Sequence, residues 1–211
     1  MKPIVYLHGF ASSPESTKAQ YFRRKLAELG AKVTIPRLDE GNFEALTITG
    51  QLGVIERAVN GEPATLIGSS LGGYLAAVYA ARHGNIERLV LMAPAFQFPR
   101  RWRERVGPEG LARWNSEGTY RFFHYAYKED RPLAYQFVED AERYEDDPAF
   151  SQPALILHGK ADPVVPVEVS RRFAENHANV TLSVLESGHE LTDVLEEVWA
   201  KTAAFLEFQN T

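Results

Sequence analysis

The chain of 211 residues carries 28 acidic and 23 basic side chains, a net charge of −5, and 45% of it is hydrophobic. That is enough apolar chain for one sizeable core, with no basic excess to suit nucleic acid or an anionic membrane surface. The absence of cysteine excludes disulfides, thiolate metal sites and cysteine nucleophiles. No apolar run nears the roughly 20 residues that span a bilayer, and Ile4-Val5-Tyr6-Leu7 is too short for a signal-peptide core. The expectation is a soluble, cytoplasmic protein without nucleic acid or membrane as partner.

In chain order, Pro3 to Leu7 reads as a buried strand. Glu15 to Leu29 is a helix, with Ala19, Phe22, Leu26 and Leu29 at helical spacing and Gly30 as its stop. Lys32 to Ile35 is a second strand. Phe43 to Val59 is a helix weakened by Gly50 and Gly53. Ala64 to Ile67 is a third strand, Leu71 to His83 a helix closed by Gly84, and Arg88 to Met92 a fourth strand. Ala154 to Leu157 is a fifth strand, Val167 to Asn176 a helix, Val180 to Leu185 a sixth strand and Leu191 to Phe208 the closing helix. Such alternation implies parallel crossovers and helices on both sheet faces. The fold class is therefore α/β: a doubly wound, mostly parallel sheet of about six strands.

Between the fourth and fifth strands lies a long interruption, Ala93 to Gln152. It holds Trp102, Trp114 and many Phe and Tyr residues. Tyr120 to Tyr127 and Leu133 to Val138 read as strands around a turn at Lys128 to Pro132. An insertion of this length in a compact domain suggests a cap over a site. The organisation expected is one domain over 1–211 with a cap or lid at about 94–152. Arg100, Arg101, Arg103 and Arg105 precede an acidic stretch, Glu139 to Asp147. Solvated faces that pair with each other are the favoured reading, and an anion-binding entrance is the alternative.

In parallel sheets ligands bind beyond the carboxyl ends of the strands, and the chemical residues of this chain cluster there. Gly68-Ser69-Ser70-Leu71-Gly72 matches G-x-S-x-G between a strand and an Ala-rich helix, the context that the motif requires. The glycines remove side chains that would collide at a sharp turn, and the helix N-terminus beside Ser70 favours an anion. Ser69 is out of register, since Ile67 stands two before it. A serine hydroxyl needs a base. Of the six histidines, His83 and His177 sit near helix ends, His124 lies in the insertion, and His8 and His158 fit structural roles under loops. Only His189 joins a loop position, a preceding Gly188 and a place after the last strand. Asp162 follows the fifth strand, kept out of a helix by Pro163, and suits the carboxylate that orients the base; Asp193 is the weaker rival. Oxyanion donors are expected from the backbone N–H groups of Leu71 and Phe10. The Phe10 ring, with Phe96, Phe98 and Trp102, is expected to line the substrate pocket.

The set His8-Gly9-Phe10-Ala11-Ser12-Ser13-Pro14, Gly68-Ser69-Ser70-Leu71-Gly72-Gly73-Tyr74, His158-Gly159-x-x-Asp162-x-x-Val165-Pro166 and Ser187-Gly188-His189 resembles the α/β-hydrolase superfamily. Within it, the chain is similar to small bacterial esterases of the YqiA/YcfP type over 1–93 and 153–208. The order Ser70, Asp162, His189 is that superfamily's order. The resemblance implies a serine carboxylesterase acting on a small-molecule ester through an acyl-enzyme, without metal or organic cofactor. Thioesterase, acyltransferase or peptidase chemistry with the same triad is the enzymatic alternative, and a silent binding module the non-enzymatic one. The chain departs from simple members in its aromatic insertion, and the two strands that open larger members are expected to be missing.

Overall fold

The alternating pattern resolves into a six-stranded sheet in a computed structural model that describes residues 2–207. The strands are β1 (Ile4–Leu7), β2 (Val33–Thr34), β3 (Ala64–Ser69), β4 (Ile86–Met92), β7 (Ala154–Gly159) and β8 (Val180–Leu185). Their order is β2-β1-β3-β4-β7-β8, and every pairing is parallel. The expected doubly wound α/β sheet is therefore present. The connections run outward from β1 to β2, then jump back so that β3 lies on the other side of β1. This reversal opens a crevice at the carboxyl ends of β1 and β3.

Side chains alternate across the sheet with the period of two that a strand imposes. Val5, Leu7, Leu66, Leu89, Leu91 and Ile156 pack on one face against α2 (Ile48–Val59), α3 (Leu71–Ala80) and α6 (Val167–Glu175). Ile4, Tyr6, Ile67, Val90, Met92 and Leu157 pack on the other against α1 (Thr17–Glu28) and α7 (Leu195–Phe205). Helix α3 is buried all round, so it tolerates none of the polar stripe that marks the amphipathic α6.

Several boundaries differ from expectation for local reasons. The predicted helix from Phe43 is split into a 3₁₀ turn (Phe43–Ala45) and α2. Thr47 starts α2 instead, its side chain accepting the Gly50 N–H at 2.9 Å as an N-cap. The closing helix begins at Leu195 after a short 3₁₀ turn (Thr192–Val194); its predicted last residue, Phe208, lies outside the described residues.

The insertion departs most. Its first half is α4 (Phe98–Glu117), a helix the apolar pattern does not reveal, broken at Gly107, whose φ of 75° precedes Pro108. A hairpin follows, β5 (Thr119–His124) and β6 (Glu129–Ala134). Its turn falls at residues 125–128 rather than over Lys128 to Pro132. Pro132 sits opposite Arg121 inside β6, a position open to proline because both strands of a two-stranded ribbon are edges. The predicted strand Leu133 to Val138 is instead the end of β6 and α5 (Gln136–Ala141). Trp114, Leu133 and Phe137 are fully buried and join the core of the α2–α3–α6 face. The Trp114 indole donates to the Leu133 carbonyl at 2.8 Å, tying α4 to the hairpin.

Candidate active site

The turn after β3 is shaped by its glycines. A Cβ on Gly68 would stand 2.4 Å from the Gly72 carbonyl oxygen, and one on Gly72 would stand 2.2 Å from that of Leu7. Ser70 sits between them at φ 54°, ψ −118°, a strained conformation for a residue with a side chain. The strain is held by backbone bonds: the Ser70 N–H donates to Met92 at 2.9 Å, and its carbonyl accepts from Gly73, Tyr74 and Ala95. Gly72→Ala therefore forces β1 itself to move. The expected result is destabilisation of more than roughly 4 kcal/mol, read as loss of folded protein or a collapsed Tm. Gly84→Ala, with nothing within 4 Å of the added carbon, should stay within about 0.5 kcal/mol of the parent.

The loops after β3, β7 and β8 bring the three predicted side chains together. The Ser70 hydroxyl donates to His189 Nε2 at 3.0 Å, and His189 Nδ1 donates to Asp162 Oδ2 at 2.7 Å. An ionised carboxylate only accepts, so Asp162 fixes the imidazole proton on Nδ1 and turns the Nε2 lone pair to Ser70. The rival Asp193 is turned away and accepts from Ser187 Oγ at 2.5 Å.

Asp162 is more constrained than the sequence suggests. Its Oδ1 accepts the Val164 and Val165 N–H groups, both at 2.8 Å. Its Oδ2 also receives His158 Nε2 at 3.1 Å, shared with the Val165 carbonyl at 2.8 Å. His158 is fully buried and its Nδ1 accepts from Ser170 Oγ at 2.8 Å. Its role as a second partner of Asp162 is absent from the sequence reading, although the i, i+4 spacing was visible. Burial by itself raises the Asp162 pKa, yet the bonds from His158, His189 and Val165 outweigh it and hold the carboxyl far below the usual carboxylate range. The folded protein thus keeps this group ionised where the unfolded chain takes up a proton. Its contribution to stability is present above about pH 4 and drains away as pH falls further. Denaturant unfolding of Asp162→Asn should show a shallower acid-side loss between about pH 5 and pH 2.5 than the parent.

Phe10 and Leu71 flank Ser70 from two elements. A Cβ on Gly9 would be 3.5 Å from Ser70 Cβ, so the loop after β1 lies against the serine. Neither the Phe10 nor the Leu71 N–H is donated to a backbone acceptor among the turns and loops of the described residues. His8, below that loop, is buried and accepts the Leu38 N–H at 3.3 Å, the structural role expected of it. The hairpin docks here too: Tyr125 N–H donates to the Ala11 carbonyl at 2.8 Å.

A cavity of about 1340 Å³ opens over Ser70 and His189. Phe10, Phe98 and Trp102 line it, joined by Phe122 of the hairpin. Phe10 centres an aromatic cluster, with ring centroids 4.8 Å from Trp102, 5.6 Å from Phe122 and 5.9 Å from Phe137. Phe96 does not belong to this wall. It is fully buried and stacked on Phe173 of α6 at 3.9 Å, because the chain has not yet turned into α4 and still follows the core. On the ester-hydrolase expectation, Trp102→Ala should lower kcat/KM for an octanoate ester about tenfold more than for an acetate ester, since lost contact scales with acyl length. An equal loss on both would place the ring outside the acyl path.

Solved structures with this architecture are numerous. Alpha/beta hydrolase domain-containing protein 10 from mouse superposes with a TM-score of 0.82 at 18% identity, covering 97% of this chain and 89% of that one. A putative hydrolase from Agrobacterium vitis S4 gives 0.81 at 24% identity, over 97% and 87%. Est1E from Butyrivibrio proteoclasticus, with ferulic acid bound, gives 0.80 at 23% identity, over 98% and 90%. The fold is thus the α/β-hydrolase fold, reached here with six strands in the main sheet. A family profile described as "Uncharacterised protein family (UPF0227)" matches residues 3–207, nearly the whole chain, and the protein therefore belongs to that family.

Proposed function

We propose that the protein is a serine hydrolase that cleaves carboxylic esters, with Ser70 as nucleophile, His189 as general base and acid, and Asp162 as the group that orients and steadies His189. The observation that carries this reading is the continuous line of hydrogen bonds from Ser70 Oγ through His189 to Asp162, at 3.0 and 2.7 Å, set on a strained turn at a helix start. Such a line of serine, histidine and carboxylate is the arrangement that activates an otherwise weak nucleophile. Est1E from Butyrivibrio proteoclasticus, solved with ferulic acid bound, and a monoacylglycerol lipase from Paleococcus ferrophilus share this fold, which supports ester chemistry here.

In this reaction His189 Nε2 takes the Ser70 proton as Oγ attacks the ester carbon. The developing oxyanion is met by the Phe10 and Leu71 N–H groups and the positive end of α3. Asp162, held ionised by its four donors, stabilises the imidazolium. Collapse expels the alcohol, protonated by His189, and leaves an acyl group on Ser70. Water then enters by the same steps in reverse and releases the acid. An activated aryl ester mixed with the purified protein should release a burst of alcohol equal to the concentration of sites, followed by a slower steady rate. Steady hydrolysis that survives complete loss of the serine hydroxyl would remove this assignment.

A further inference from the structure

The four arginines at the start of α4 are divided by the helix itself. Arg100 and Arg103 turn outward and pair with the acidic segment: Arg100 Nε lies 3.7 Å from Asp146, and Arg103 pairs with Glu142. Arg101 and Arg105 lie on the face that also carries Phe98, Trp102 and Val106, and all five line the cavity over Ser70. This i, i+3, i+4, i+7, i+8 set is one continuous helical stripe. Among the described residues neither of the two has a carboxylate within 4 Å. Among the described residues the Arg105 guanidinium makes no hydrogen bond, and that of Arg101 gives one N–H to the Val164 carbonyl at 2.8 Å. That bond ties the Arg101 guanidinium to the loop after Asp162, whose carboxylate accepts the Val164 N–H.

The rest of the cavity has the same sign. Lys18, from α1, has a side chain only 9% exposed and reaches the cavity, with Glu190 at 3.9 Å as its nearest acid. Lys128 adds positive charge and Arg37 lines the cavity while paired with Asp39 at 2.9 Å; Glu15 and Glu190 are the lining carboxylates. A cavity lined by five cations and two carboxylates, in a chain of net charge −5, is not a sample of the average surface. Arginines one turn apart, about 5–6 Å between their Cβ atoms, can hold one planar or tetrahedral oxyanion through several N–H groups. Phe98, Trp102 and Val106 beside them supply apolar contact for the atoms joining that anion to the ester.

We infer that the substrate is an amphipathic ester bearing a carboxylate or phosphate, and that Arg101 and Arg105 are the residues that select for it. The inference rests on the ester-hydrolase reading and names the substrate class of that site. Neutral substrates leave the two guanidinium groups without an anionic partner; an anionic one brings charge-assisted bonds that hold its ester over Ser70.

The test uses kcat/KM on matched pairs. The aryl esters of butyric acid and of glutaric acid, the latter with one free carboxylate, place the charge on the acyl side. Monobutyrylglycerol and monobutyrylglycerol phosphate place it on the alcohol side. The wild type should favour the charged member of at least one pair by about tenfold or more. The pair that responds identifies which anion is read and on which side of the ester. Arg105→Gln and Arg101→Gln should each cut that charged-to-neutral ratio about tenfold, Arg105→Lys should restore part of it, and Arg103→Gln should leave it unchanged. Raising ionic strength to about 0.5 M should lower the ratio in the wild type. A wild type that treats both members of both pairs alike, or a ratio indifferent to Arg105→Gln, overturns the inference while leaving the hydrolase reading standing. No hydrolysis of any of the four, together with no serine labelling, would instead remove the reading on which it rests.

Discussion

Ser70→Ala should leave a folded protein whose ester turnover has fallen by about a millionfold, the scale seen for removing the nucleophile of a comparable triad. The change deletes a single oxygen. The backbone bonds that hold the turn run through the N–H and carbonyl of residue 70 and survive in alanine. The strained φ of 54° remains tolerable because the neighbouring packing over-determines it. The check is paired: thermal unfolding within a few degrees of the parent, and hydrolysis indistinguishable from that left by binding and oxyanion contacts alone. Ser69→Ala, one residue out of register at the end of β3, should keep most of the activity.

Asp162→Asn should cost about four orders of magnitude in turnover, on the scale of the equivalent change in the serine-protease template. An amide at this position can place N–H groups where Oδ2 now accepts from both His189 and His158. To keep a bond, His189 must present an unprotonated Nδ1, which moves its proton to Nε2 and points it at Ser70. The base then has no lone pair for the serine proton. His158 limits the cost to the fold. Because it continues to bond the Val165 carbonyl and Ser170, the loop keeps its shape, so activity should fall far more than stability at neutral pH. Initial rates and denaturant midpoints measured on the same preparation separate the two losses.

The parts of this site that were legible in the sequence share one property: they are fixed by backbone requirements that only particular residue types meet. Gly68 and Gly72 answer contacts of 2.4 and 2.2 Å with backbone oxygens, and Pro163 keeps Asp162 on a loop. Strand–helix alternation with continuous apolar strand runs such as Leu89-Val90-Leu91 was enough for the sheet. The parts that were missed depend on rotation about a helix axis or on burial, which a linear pattern leaves open. Helix α4 escaped notice because its apolar stripe is interrupted by arginines that themselves face the cavity. Once its limits are known, the same stripe separates Arg101 and Arg105 from Arg100 and Arg103. Proximity to the junction alone points Phe96 to the pocket, yet it precedes the turn into α4 and stays with the core. His158 looked structural because a buried histidine usually is. Its second bond to Asp162 emerges only when the strand end and the following loop fold back within 3.1 Å.

The central claim, that Ser70 is a nucleophile activated by His189, is tested most directly by covalent labelling with a fluorophosphonate. The protein should gain one phosphonyl group, peptide mapping should place it on Ser70, and His189→Ala should slow labelling by about a thousandfold or more, as loss of a general base demands. Labelling of a different residue, or of Ser70 at a rate unchanged by His189→Ala, would contradict the account.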